Sequence, residues 1–210
     1  MFSIKTYNDS YKVDWNNFVD ISKNSTFLFK REFMDYHAEK FEDFSLLIFY
    51  NSELIALFPC NIRDGEVYSH EGLSYGGVIV KGDIKFLRYL ELFTYLLKYF
   101  DEKSINKLYI KQIPSIYNSN FNGELDYLSF IIGAKIYRRD IISVIEMKNE
   151  NKISKDRIQG YKRGKKNKLE IKETDDLDEF WNYILTPTLL NRHDVNPVHS
   201  LEDIKKLKSF

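Results

Sequence analysis

Residues 68–80 read Tyr68-Ser69-His70-Glu71-Gly72-Leu73-Ser74-Tyr75-Gly76-Gly77-Val78-Ile79-Val80. The stretch holds three of the nine glycines and one of the four histidines of a 210-residue chain. Its reading decides the organisation of the chain, because apolar, strand-like segments lie on both sides of it. Gly72, Gly76 and Gly77 allow backbone conformations closed to other residues and let another group approach the main chain. One reading is a glycine-rich strand connection with a bulge. The other is a turn whose N–H groups receive a phosphate or carboxylate, with Ser69, His70 and Tyr75 adding polar side chains. Ser69 and His70 make no catalytic dyad on a strand, since neighbours there point to opposite faces. The pattern G-x-G-x-x-G is absent, which removes a dinucleotide fingerprint. Local chemistry favours the bend.

Residues 66–69 and 78–80 read as strand pieces around this stretch. Upstream, 2–7 alternate like a first strand, and 14–21 and 30–40 read as short helices, with Ser25 or Thr26 near the start of the second. Residues 46–50 (LLIFY) and 54–58 (LIALF) are apolar runs separated by Asn51-Ser52-Glu53, a hairpin signal. Pro59 ends or edges the second strand. Downstream, 86–100 (FLRYLELFTYLLKYF) carry apolar residues at 86, 90, 93, 97 and 100, a helical spacing whose aromatic stripe reads as core, with Asp83 as cap. Residues 107–111 alternate like a strand, 125–132 form a helix ending near Gly133, and 134–147 hold strand material, above all 141–145 (IISVI). The sum is a mixed α/β layer with hairpins.

Composition then shifts. Residues 151–168 contain eight Lys/Arg and one Asp, a local balance of +7, and 173–179 hold five acids. Residues 169–172 are strand-like. Residues 177–190 are helical in pattern but carry Pro187, which is expected to kink or break the helix. Ser200 caps a final helix over 201–207, with Asp203 in its first turn. The chain stops at Phe210 without a closing strand. We expect one domain over 1–150 and the start of a second, incomplete one over 151–210.

Basic and acidic residues balance at 31 each, so whole-chain attraction to nucleic acid is not indicated. Cys60 is the one cysteine, which excludes an intramolecular disulfide and fits a reducing cytoplasm. No signal peptide and no membrane-spanning stretch is present, so a soluble, cytoplasmic protein is expected. Cys60 follows an apolar strand and reads as an inert buried thiol. His193 and His199 fit no metal-binding spacing, and no metal is expected. Arg192 beside His193 offers an anion-binding pair, or two surface residues after a helix. The basic run has three readings: a solvated helix, a contact for RNA phosphates with Tyr161 to stack, or a contact for a small nucleotide. Gly160 and Gly164 weaken a helix there.

Several pieces stand in a fixed order: 15–18 (WNNF), Ser25-Thr26-Phe27, Phe33-Met34-Asp35-Tyr36-His37, Ser45-Leu46, Pro59, the Ser-His-x-Gly-Leu-x-Tyr-Gly-Gly of 69–77, Ile113-Pro114-x-Ile116-Tyr117, Arg138-Arg139, Arg157 with Gly160-Tyr161-Lys162, Leu190-x-Arg192-His193 and Pro197-Val198-His199-Ser200. This ordered set, from about residue 10 onward, resembles bacterial GNAT-type N-acetyltransferases related to the FemAB peptidoglycan-bridge transferases. The resemblance implies two tandem GNAT-like domains, each a mixed sheet flanked by helices. It implies transfer of an acyl or aminoacyl group to an amine, with acetyl-CoA or another acyl-CoA as donor and aminoacyl-tRNA as the alternative. The acceptor class is a small-molecule amine or a cell-wall or nucleotide-sugar precursor. Such chemistry needs a route for the amine proton and donors for the developing oxyanion, but no covalent enzyme intermediate.

The substrate-binding candidates are Ser69, His70, Gly72, Tyr75, Gly76, Gly77, Arg157, Lys162, Arg192, His193 and His199. With the resemblance, the 68–80 stretch is expected to line a cleft between the domains. The pattern (Gln/Arg)-x-x-Gly-x-(Gly/Ala), which in this family holds coenzyme A phosphates between a strand and a helix, is missing after 78–80, where Lys81-Gly82-Asp83 follows. The alternative is a non-catalytic module that binds a nucleotide-sugar or RNA through its basic segment.

Overall fold

A computed structural model describes residues 1–36, 38–148 and 152–209. His37 and the expected boundary at 150/151 lie outside them. The chain is mixed α/β and divides into two compact units, Met1–Lys135 and Ile136–Ser209.

The first unit contains two four-stranded sheets. The larger joins β1 (Phe2–Thr6), β3 (Leu46–Tyr50), β4 (Glu53–Phe58) and β7 (Ile79–Val80), all antiparallel. The smaller joins β2 (Glu42–Asp43), β5 (Asn61–Arg63), β6 (Glu66–Tyr68) and β8 (Leu108–Tyr109), with β6 and β8 parallel. The mixed α/β layer with hairpins expected from sequence is laid out as two sheets joined through one bent hairpin. At the bend Phe44 N–H donates to Cys60 C=O (2.9 Å), while Ser45 Oγ bonds both the N–H and C=O of Cys60 (3.3 Å each). Pro59, which has no N–H to contribute, sits where β4 leaves the larger sheet.

Side-chain alternation explains why β3 and β4 read as unbroken apolar runs. Leu46, Ile48, Ala56, Phe58 and Val80 face one cluster, while Leu47, Leu57 and Ile79 face the other. Helices cover both faces, so neither can be polar. On the first face lie α3 (Phe86–Glu102) and α4 (Glu124–Ile131), contributing Tyr89, Leu92, Phe93, Leu96, Phe100, Leu125 and Leu128. On the second lie α1 (Lys12–Ile21) and α2 (Arg31–Asp35), with Trp15, Phe18, Val19 and Met34. Two turns are forced by backbone chemistry. Asn51 (φ 48°) and Ser52 (φ 68°) join β3 to β4, and Asp64 (φ 53°) and Gly65 (φ 73°) join β5 to β6. Paired left-handed residues are what a two-residue hairpin with the native twist requires.

Several expectations are corrected. The helix over 30–40 is only α2, five residues long. Thr26 instead caps a 3-10 turn at Phe27–Phe29, its Oγ1 accepting from Leu28 N–H (3.4 Å). The cap residue of α3 is Lys85, not Asp83. The buried stripe of α3 runs 89, 92, 93, 96, 100, leaving Phe86 and Leu90 exposed. That helix is apolar on more than one stripe, so spacing alone did not choose the face.

The second unit contains α5 (Lys155–Lys166), a π-helical turn (Phe180–Leu185) running into α6 (Thr186–His193), and α7 (Leu201–Lys208). Pro187 does not break the helix. It follows the π turn, whose wider hydrogen-bond spacing accommodates a residue lacking an N–H. Ser200 and Asp203 form a reciprocal capping box on α7. Residues 141–145 and 169–172 are not strands, because no neighbouring strand pairs with them among the described residues. The acidic run is answered by α7: Lys205 pairs with Asp178 (2.6 Å) and Lys208 with Asp175. No described residue of this unit is buried.

Cys60 is 0% exposed, and burial, helped by the Asp43 carboxylate, pushes its thiol well up. The folded chain is therefore expected to resist a maleimide at about pH 8 and to react only as urea unfolds the first unit. Labelling without denaturant within minutes contradicts this burial.

Candidate functional site

Several polar groups of the 68–80 stretch are bonded within the chain. Ser69 N–H donates to Tyr109 C=O (2.8 Å), and Ser69 Oγ accepts from Lys111 N–H (2.8 Å). Gly76 N–H donates to Lys111 C=O (2.5 Å) and bridges to Gln112 in the parallel sense. Between these two anchors the chain loops out through His70, which adopts φ 66°. Lys111 Nζ donates to the carbonyls of Glu71 (3.0 Å) and Leu73, clamping the loop from beneath. The Glu71 carboxylate accepts from Asn61 Nδ2 (2.9 Å) and pairs with Arg63 (2.7 Å), while its N–H donates to Asn61 Oδ1 (2.7 Å).

The group that approaches the main chain at Gly76 is the chain itself. A Cβ placed there would stand 2.2 Å from the Ser69 carbonyl oxygen. Gly77 holds φ +116°, which L side chains rarely adopt. Ser69, His70 and Tyr75 are all buried. The Tyr75 hydroxyl donates to Thr26 Oγ1 (3.1 Å), and its ring packs against Phe29 and Tyr117. The His70 ring stands edge-on to Phe41 (5.7 Å). Gly72 is half-buried in the loop.

Beyond Gly76 the two parallel segments part, and residues 22–24 lie along the outer edge of β7. Ser22 bridges to Lys81, and Lys23 N–H donates to Val80 C=O (2.9 Å). The Asn24 carboxamide donates to Val78 C=O (2.8 Å) and accepts from Val80 N–H (2.9 Å). Its amide plane thereby repeats what a peptide unit of a neighbouring strand would do. Loop 118–124 holds this segment from outside. Ser119 donates twice to Lys23 C=O (2.8 and 3.1 Å), and the buried Lys23 ammonium pairs with Glu124 (2.5 Å) and Phe121 C=O (3.3 Å). Sequence reasoning missed Lys23, Asn24 and Glu124, because their partners lie 54 to 101 residues away.

The fit of an acyl-CoA can be tested at the connection from β7 to α3, residues 81–85. Lys81 is turned to Glu53 (2.6 Å), and a Cβ on Gly82 would meet Asn120 Nδ2 at 3.4 Å. The space beside Gly76 and Val78, enclosed by Asn24, Tyr89, Gln112 and Leu125, is ≈ 10 Å³. That is about one water, and the outer edge of β7 beside it is taken up by Lys23 and Asn24. A larger, open cavity of ≈ 430 Å³ lies at the starts of α3 and α4, lined by Phe86, Phe121, Gly123, Glu124 and Tyr127. It is aromatic, and its one charged residue, Glu124, is already paired with Lys23.

The remaining candidates belong to the second unit. Arg157 and Lys162 lie exposed on α5, Arg192 and His193 lie exposed at the end of α6, and half-buried His199 precedes α7. The Arg192 guanidinium in the last turn of α6 suits the negative end of the helix dipole. Among the described residues no His, Cys, Asp and Glu cluster could hold a metal, and no helix is long and apolar enough to cross a membrane.

No protein-family model and no curated protein matches the sequence. Among solved structures, the ribosomal-protein-S18-alanine N-acetyltransferase from Escherichia coli is similar at 12% identity and TM-score 0.39, covering 51% of this chain; the chain spans 64% of that protein's length. AAC(6')-Iy in complex with a bisubstrate analogue is similar at 12% identity and TM-score 0.43, covering 70% of this chain and 99% of that one. The PaiA N-acetyltransferase from Thermoplasma acidophilum in complex with coenzyme A is similar at 13% identity and TM-score 0.38, covering 67% and 93%. These are likenesses of chain path at low identity.

Glycine substitutions separate backbone packing from helix propensity. Gly76→Ala, driven onto the Ser69 carbonyl, is expected to destabilise the first unit by about 3 kcal/mol or more. Gly160→Ala on α5, where nothing lies within 4 Å, is expected to raise helicity and to stabilise α5 by up to about 1 kcal/mol. Urea midpoints and helical ellipticity read the two effects, and an unchanged midpoint for Gly76→Ala contradicts the close approach.

Proposed function

We propose that the chain serves acyl or aminoacyl transfer to an amine, with a cell-wall or nucleotide-sugar precursor as the acceptor class and an acyl-CoA or aminoacyl-tRNA as the donor class. The ordered motif set carries this reading. In the fold, its most specific member, 69–77, joins the two sheets and delivers β7 toward α3. An amine attacking an activated carbonyl needs proton removal and oxyanion stabilisation, not an enzyme nucleophile. The buried, inert Cys60 is consistent with that. With the outer edge of β7 bonded by Lys23 and Asn24, the first unit enters this reading as a scaffold.

A second reading is a non-catalytic module that grips RNA or a nucleotide-sugar through α5, and one observation favours it. Among the described residues, no carboxylate pairs with the Lys and Arg side chains of α5, whereas the acidic run pairs with α7. Tyr161 is exposed on α5, with Lys165 over its ring at 5.3 Å. A cationic helix carrying an aromatic ring suits phosphate contact and base stacking.

Mass spectrometry of a panel of amines, incubated with the chain and either acetyl-CoA or aminoacyl-tRNA, tests the first reading. Transfer from one donor is expected; absence from both overturns it. For the second, replacing Lys162, Lys165 and Lys166 by Gln should flatten the salt dependence of single-stranded RNA binding by about 2 in log–log slope. An unchanged slope rejects α5 as the grip.

A further inference from the structure

We infer that residues 22–24 are a built-in substitute for a ligand or neighbouring strand on the outer edge of β7, which closes that edge permanently to an extended acyl donor. The inference rests on the acyltransferase reading only in naming the donor excluded; the closure itself stands on geometry. An edge strand normally presents unpaired N–H and C=O groups, open to an extended peptide or an amide-bearing chain. Here Val78 C=O, Val80 N–H and Val80 C=O all have partners within residues 23–24. A side-chain carboxamide suits the place because it has one donor side and one acceptor side, like a peptide unit.

The plug is itself locked. Lys23 and Asn24 are 4% and 3% exposed. Loop 118–124 bonds the Lys23 carbonyl and its ammonium at once, through Ser119, Phe121 and Glu124. A donor entering here must break two carboxamide bonds and one backbone bond, and must expose a buried ion pair, which is costly. The consequence is a division of labour: the first unit keeps the sheet-and-helix frame, and any donor is held by other residues.

The test uses the full chain, labelled for amide NMR, with free coenzyme A as probe. Coenzyme A at millimolar concentration is expected to leave the amides of 78–80 and the Asn24 side-chain NH₂ unmoved. The Val80 amide is expected to exchange with solvent about a hundredfold or more slower than an unstructured amide. Shifts confined to these groups on adding coenzyme A, or fast Val80 exchange, overturn the inference. Asn24→Gly should speed Val80 exchange about tenfold or more while Leu47, in the central strand β3, stays protected. If that variant does not fold, Ser119→Ala, which removes one bond to the Lys23 carbonyl, should speed exchange at Lys23 and Val80. No change in the folded variant also overturns it. The same sample assayed for transfer separates the two ideas. Transfer with 78–80 unmoved supports both, and transfer with 78–80 shifted overturns the closure alone. No transfer from either donor overturns the acyltransferase reading, and Val80 exchange still decides the closure.

Discussion

The Asn24 carboxamide stands between Val78 and Val80 as if it were a peptide unit, and the first unit is arranged around the need it meets. A backbone N–H or C=O buried without a partner costs about 1–3 kcal/mol. β7 ends the larger sheet, yet Val78, Ile79 and Val80 are buried, so water does not reach its outer edge. β7 therefore has to be paired on both sides, by β4 on one and by residues 22–24 on the other. That requirement fixes where α1 ends, since Ser22 directly follows it. It also fixes loop 118–124, which backs the same segment.

The same accounting explains the stretch from 68 to 80. Glycines, a serine, a histidine and a glutamate close together suggest a ligand turn. In the fold, the Ser69 hydroxyl is spent on Lys111 N–H, Glu71 on Asn61 and Arg63, and Gly76 on admitting the Ser69 carbonyl. Such a junction carries the chain from β6 in the smaller sheet to β7 in the larger. It also shows that the residue types at Ser69, Glu71 and Gly76 are set by contacts within the chain.

The second unit follows other physics. Its helices are supported by local devices, namely the Ser154 and Ser200 caps, the π turn ahead of Pro187, and the pairs from α7 to the acidic run. Its apolar residues Ile141, Ile145 and Ile171 are largely exposed. Segments rich in β-branched residues become strands only when a neighbouring strand takes their hydrogen bonds, and none of the described residues does so.

Sequence alone determined the elements whose signals are local. These are the hairpin over 46–58, the helix over 86–100, the helix ending at Gly133, the Ser200 cap and the burial of Cys60. Propensity, turn chemistry and side-chain period act within a few residues, so they can be read in a line. Tertiary structure alone decided which stripe of α3 is buried, that the expected mixed layer is laid out as two sheets, that 141–145 and 169–172 stay unpaired, and that Lys23 and Asn24 close the edge of β7. Each of these depends on a partner tens of residues distant, and a hydrogen bond or a packed face has no meaning until both of its sides are in place.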